Sequence, residues 1–114
     1  MEIKRYESNG RFCRTVVYGG LLFTSGLVEA EQETFDGQAC GIFQQIDDLL
    51  EKYGSSRERI LSANVFLKNA SDFDAFNALW LKWIIPGCEP VRTTVAAEMM
   101  HSKILIEINA IAAL

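Results

Sequence analysis

A strand written ILIEINAIAAL, from Ile104 to Leu114, has no polar face to turn toward water. Side chains alternate across a strand, so Ile104, Ile106 and Ile108 point one way while Leu105, Glu107, Asn109 and Ile111 point the other. Both sets are largely apolar, the pattern of a strand covered on both sides. Helices of the same chain can cover one face of a two-layer domain. The most economical cover for the other is a second copy, so the strand by itself predicts a homo-oligomer. Glu107 stands out against this background. A carboxylate in an apolar strand must find a partner or give up its charge, because unpaired burial costs several kcal/mol. It is therefore either half of a structural ion pair or a group that handles protons and orients water.

The rest of the chain supplies the elements that such a strand requires. In FCRTVVYGGLLFTSGLV two β-rich runs flank Gly19-Gly20, a glycine pair suited to a hairpin turn. From Phe35 the apolar period becomes helical, through Ala39, Ile42, Phe43, Ile46, Leu49, Leu50 and Tyr53, with Gly54 placed to end the helix. ILSANVFLKN reads as a strand. A second helix follows, with Ser71 as its cap and Asp74 in its first turn. Its buried stripe is Phe73, Phe76, Trp80, Trp83 and Ile84, and Pro86-Gly87 stops it. Strands near Arg92–Glu98 and Ile104–Ala112, joined through MMHSK, close the chain. The order ββαβαββ, with two helices on one face of a mixed sheet, is an α+β architecture. With 114 residues, the chain is expected to form one domain, 1–114.

Charge and cysteine content narrow the function classes. The net charge is −4 and the basic residues are scattered, which disfavours a protein that grips nucleic acid. MEIKRYESNG lacks the apolar run of a signal peptide, and no stretch approaches a membrane span, so a soluble, cytoplasmic protein is expected. Cys13, Cys40 and Cys88 form no CxxC pair, and with His101 alone to assist them they make no zinc site. They read as reduced and mostly buried thiols. No metal and no cofactor is expected.

Arg92 opens the strand PVRTTV and shares a face with Thr94, Ala96 and Glu98. It is either an edge arginine in solvent or an ion pair, or else an anion clamp whose planar fork fits a carboxylate. Thr94 adds a hydroxyl and a backbone N–H nearby. His101 lies in a polar connection, where a solvated loop residue is the simpler reading than a general base. Ser25 in FTSGL lacks the surroundings of a hydrolase nucleophile. Asn77, on the apolar side of the second helix, needs a hydrogen-bond partner. Gly19-Gly20 lacks the spacing of a phosphate loop.

Four segments in order, LLFTSGLV, ANVFLKNASDFDAFNALW, PVRTTV and ILIEINAIAAL, resemble the Rid proteins, the reactive intermediate deaminases also called YjgF proteins. The likeness runs over essentially the whole chain. Its closing signature is a Pro-x-Arg strand start, a hairpin, and a strand of the form I-E-I-x-A-I-A. The resemblance implies a chorismate-mutase-like fold assembled as a homotrimer, with clefts between subunits where Arg92 binds the substrate carboxylate. It implies hydrolysis of reactive enamines and imines, such as 2-aminoacrylate and its imine tautomer, to 2-keto acids and ammonia. Glu107, Ser25 and Asn77 match the family's acidic, serine and asparagine positions. Phe12 stands where the catalytic branch has tyrosine, and Met99, Met100 and His101 where it has Leu-Pro. These departures resemble a divergent, shorter subgroup. Two rival readings stay open: a trimer that binds small carboxylates such as 2-keto acids without turnover, and a ribonuclease or translation inhibitor. The acidic balance counts against the second.

Overall fold

The computed structural model describes residues 1–114. Gly19 and Gly20 take φ values of 60° and 78°, the left-handed conformations that a tight hairpin turn demands of its central residues. They join β2 (Cys13–Tyr18) to β3 (Leu21–Thr24), in register from Tyr18–Leu21 to Thr15–Thr24. One strand precedes this hairpin, β1 (Lys4–Ser8), antiparallel to β2. The expected ββαβαββ order therefore gains a strand at its start. β1 escapes a pattern search because four of its five residues are exposed and it buries no face. A polar edge strand of this kind blunts the sheet against unwanted pairing. It is held from the side, where Tyr6 packs on Tyr53 with ring centroids 4.6 Å apart.

Thr34 caps α1 (Phe35–Lys52) by accepting a hydrogen bond from the Gly37 N–H, and Gly54 at φ 82° ends it. β4 (Ile60–Leu67) leads into a 3-10 turn at Ala70–Asp72 and then α2 (Phe73–Trp83). Ser71 lies inside that turn, and Asp72 occupies the cap position without a side-chain hydrogen bond, so the expected Ser71 cap is not formed. β5 (Val91–Ala96) and β6 (Ile106–Ala113) complete a sheet of order β1-β2-β3-β6-β4-β5. β4 lies between β5 and β6, parallel to the first and antiparallel to the second. The closing strands are thus not a hairpin. A hairpin loop returns a strand beside its neighbour, whereas residues 97–105 cross the end of β4, where the Lys68 N–H donates to the Leu105 carbonyl.

The alternation expected of the last strand is present. Ile106, Ile108, Ala110 and Ala112 are buried against the helices, and the residues between them are half-buried. Both helices face this one side of an α+β layer, over a cluster of 19 buried residues. Phe43 of α1 stacks on Trp83 of α2 at 4.4 Å, and Phe76 and Trp80 extend the aromatic seam toward β5. Asp47 joins the two helices by accepting from the Trp83 indole N–H at 3.1 Å and from Arg57 Nε at 2.9 Å. No helix is long and apolar enough to cross a membrane. None of the three cysteines is disulfide-bonded, but none is buried either: Cys40 is exposed, and Cys13 and Cys88 are partly covered.

Candidate functional site

Strand register decides which candidate side chains share a face. Arg92, Thr94 and Ala96 lie beside Ala63, Val65 and Leu67 of β4, which in turn oppose Ala110, Ile108 and Ile106 of β6. Partners across a ladder point to the same side. Arg92 and Thr94 therefore face the helices. Glu107 opposes Phe66, on the other side of the sheet. One protomer does not bring the two together; it presents two separate half-sites.

The first half-site is built on β5 and α2. Arg92 Nη2 donates to Asn77 Oδ1 at 2.8 Å, so the amide on the apolar side of α2 has found its partner. The guanidinium carbon lies 5.1 Å from the ring centroids of both Phe76 and Trp80 and 5.9 Å from that of Phe73. A cation over aromatic faces is attracted by their quadrupoles. Phe73, expected in the buried stripe, is 42 % exposed and serves as one wall of this box. The chain contains three ion pairs, Arg14–Glu7, Lys52–Glu7 and Arg57–Asp47, and Arg92 belongs to none of them. Partial burial accordingly pushes the Arg92 pKa below the usual guanidinium value through desolvation. A half-buried cation held by an amide and three rings, with no carboxylate of its own, is arranged to receive an anion. Beside it, the Thr94 hydroxyl oxygen is buried and has no hydrogen-bond partner.

The second half-site lies on the open face, where β6 passes the chain leaving β3. Leu27 bridges to Ile108, which brings Gly26 over the Glu107 side chain. The Ser25 N–H donates to the Arg14 carbonyl at 2.9 Å. Gly26, overlooked in the sequence, is the residue that accommodates the carboxylate. A methyl group built there would overlap Glu107 Oε2 and come within 2.9 Å of its Cδ. Glu107 forms no ion pair, which removes the structural-pair alternative within one protomer. Phe12, 56 % exposed, immediately precedes β2 at the turn pinned by Asn9, whose side-chain oxygen accepts from the Phe12 N–H. His101 is exposed in the β5–β6 connection and belongs to neither half-site. No group of His, Cys, Asp and Glu is placed to hold a metal ion.

The tight fit over Gly26 gives a clean test of Glu107. Gly26→Ala should leave thermal stability within a few degrees, because the carboxylate is at the end of a flexible side chain and can swing away. It should lower any turnover that depends on Glu107 about tenfold or more by moving the carboxylate. Wild-type turnover by a folded Gly26→Ala protein would show that the position of Glu107 is unimportant.

The surrounding face carries the apolar area anticipated from the last strand. Phe23, Ile111 and Phe66 share it with Val91 and Val95, which are 72 % and 43 % exposed. The Asn64 side chain donates to that of Asn109 at 3.0 Å near its middle. This side of the sheet has no helix over it.

Comparison with known proteins agrees with this architecture. The family described as Endoribonuclease L-PSP matches residues 2–114. The RutC family protein YoaB of Escherichia coli strain K12 is 37 % identical over 114 residues, covering 99 % of both chains. Among solved structures, NMB1025 of Neisseria meningitidis, described as a member of the YjgF protein family, superposes with a TM-score of 0.95 at 30 % identity, over 99 % of this chain and 95 % of that one. A Salmonella typhimurium protein described as a putative translation initiation inhibitor matches at 38 % identity and a TM-score of 0.88, over 98 % and 97 %. Spanning the chain from its second residue to its last, these likenesses establish that it belongs to the Endoribonuclease L-PSP family, the family of the YjgF and Rid proteins.

Proposed function

We propose that the protein hydrolyses 2-imino acids, and the enamines that tautomerise to them, to 2-keto acids and ammonia. Family membership supports imine and enamine deaminase chemistry in general. The observation that carries the specific reading is Arg92: a half-buried guanidinium, fixed by Asn77 and aromatic rings, with no acid in the protomer to neutralise it. A substrate carboxylate supplies that charge and leaves the adjacent imine carbon in a defined place. Glu107 orients the water. As its oxygen bonds to the imine carbon, the π pair moves to nitrogen. Protons passed through the carboxylate then let the C–N bond break, so that ammonia leaves and the keto group remains. The imine carbon is already electrophilic, and the protein need supply only about 3–5 kcal/mol to exceed the spontaneous rate by a hundredfold or more.

The two half-sites require an assembly. We infer a homotrimer in which the open, partly apolar sheet faces pack together, so that each cleft takes Arg92 from one copy and Glu107 from its neighbour. Burial of exposed Val91 and Val95 and of half-buried Ile111 and Phe23 supports association. The decisive experiment mixes two inactive variants. Arg92→Ala and Glu107→Gln, unfolded and refolded together, should recover about a quarter of wild-type ammonia release, the share of sites in a random ring that receive both intact halves. No recovery in mixed oligomers of confirmed composition would place both groups in one subunit's site or remove one of them from catalysis. Absence of any acceleration by the wild-type protein, with imines generated in situ and trapped by semicarbazide, would favour the alternative of a non-catalytic trimer that binds 2-keto acids.

A further inference from the structure

Beside Arg92 runs a shallow notch of about 220 Å³ lined by Leu67, Ala70, Phe73, Thr94, Val95 and Ala96. Phe73 belongs to both places: its ring flanks the guanidinium at 5.9 Å and forms a wall of the notch. Thr94 and Arg92 project from the same face of β5, two residues apart. Nothing charged lines the notch, and its one polar side chain, Thr94, has its hydroxyl oxygen buried. A carboxylate on Arg92 thus has an uncharged, mainly apolar recess next to it, bounded by an aromatic ring.

The geometry points to a site that selects 2-imino and 2-keto acids with branched or aromatic apolar side chains, carboxylate on Arg92 and side chain in the notch. This specificity rests on the carboxylate-clamp reading above and adds Phe73 and Ala96 as the residues that set it. A methyl side chain, as in 2-iminopropanoate, leaves most of the recess unfilled. An isobutyl or benzyl group covers Phe73, Ala96 and the β5 backbone between Thr94 and Ala96. Each buried CH2 is worth about a factor of four in affinity, and a shallow recess recovers part of that for two or three such groups, so the expected advantage is about tenfold. A side chain ending in a carboxylate gains nothing, since it must shed water onto groups that cannot pair with it.

Calorimetric titration of the wild-type protein with pyruvate, 4-methyl-2-oxopentanoate and 2-oxoglutarate tests this without requiring turnover. The expected result is binding of 4-methyl-2-oxopentanoate about tenfold tighter than pyruvate, with 2-oxoglutarate no tighter than pyruvate. Ala96→Phe, on an exposed strand position that tolerates an aromatic, fills the recess and should bring the first two affinities within about twofold of each other. Equal wild-type affinities would overturn the inference. So would a preference that survives Ala96→Phe, the outcome if a neighbouring copy occupies the notch. Discrimination in binding without ammonia release would leave the notch in place and remove the deaminase. Failure of all three acids to bind would remove the Arg92 clamp itself.

Discussion

Arg92→Ala should lower kcat/KM for 2-imino-acid hydrolysis by about 100- to 1000-fold, the usual worth of a charge-assisted, two-pronged contact to a carboxylate in a partly dry site. The loss should fall on KM and kcat together, because the same contact that binds the substrate also places its imine carbon. Affinity for 2-keto acids should fall in parallel. Arg92→Lys is the sharper comparison. It keeps the charge but loses the planar fork that can meet Asn77 and a carboxylate at once, so it should recover only part of the activity. Stability should change little in either variant. Arg92 has no ion-pair partner to orphan, and its removal leaves Asn77 Oδ1 on a half-buried residue that water can reach. An Arg92→Ala protein that keeps full activity would show that the carboxylate site lies elsewhere.

The legible parts of this molecule are those where one residue type has one structural use. The Gly19-Gly20 turn, the Phe35 helix and the alternation of Ile106, Ile108 and Ala110 were all open to a pattern reading, because positive φ, helical period and strand period are local properties. β1 was not, since an edge strand exposed on both sides has no periodicity to detect. Nor was the place of β5. Pairing order is a long-range property, and two consecutive strands joined by a moderate loop read as a hairpin unless something shows β4 between them. That same error hides the arrangement of the site. A hairpin reading lets Arg92 and Glu107 share a surface, whereas the observed register sets them on opposite faces. Asn77 and Arg92 were each singled out, yet their bond to one another depends on the parallel β4–α2–β5 crossover, which brings α2 back over β5. Gly26 and Gln38 gave weaker signals still: a glycine beside a serine, and a polar residue next to an apolar helical stripe.

Gln38→Leu should destabilise the protein by about 3 kcal/mol, although leucine is the better residue for a buried position by hydrophobicity alone. Gln38 is 1 % exposed, and its amide is fully used. Nε2 donates to the carbonyls of Gln32 and Lys103 at 2.9 and 2.8 Å, and Oε1 accepts from the Leu105 N–H at 2.9 Å. These bonds fasten two irregular segments, the approach to α1 and the end of the β5–β6 connection, to one side chain. The substitution leaves three backbone groups without partners, each costing about 1 kcal/mol or more where water cannot replace the amide. For a chain of this length, that corresponds to a melting temperature lower by roughly 10–15 °C at equal protomer concentration. Gln38→Glu separates hydrogen bonding from volume. Its carboxyl, when protonated, can donate to one carbonyl and still accept from Leu105. When ionised, it faces two carbonyl oxygens in a buried site, so folding raises its pKa above the unfolded value. The sign follows: an acid whose folded pKa is raised is relatively stable at low pH and loses stability as pH rises above its unfolded pKa. Gln38→Glu should therefore melt closer to wild type near pH 4 than at pH 8, while Gln38→Leu shows the same deficit at both. A Gln38→Leu protein as stable as wild type would mean that the 97–105 connection is held by its neighbours and not by this amide.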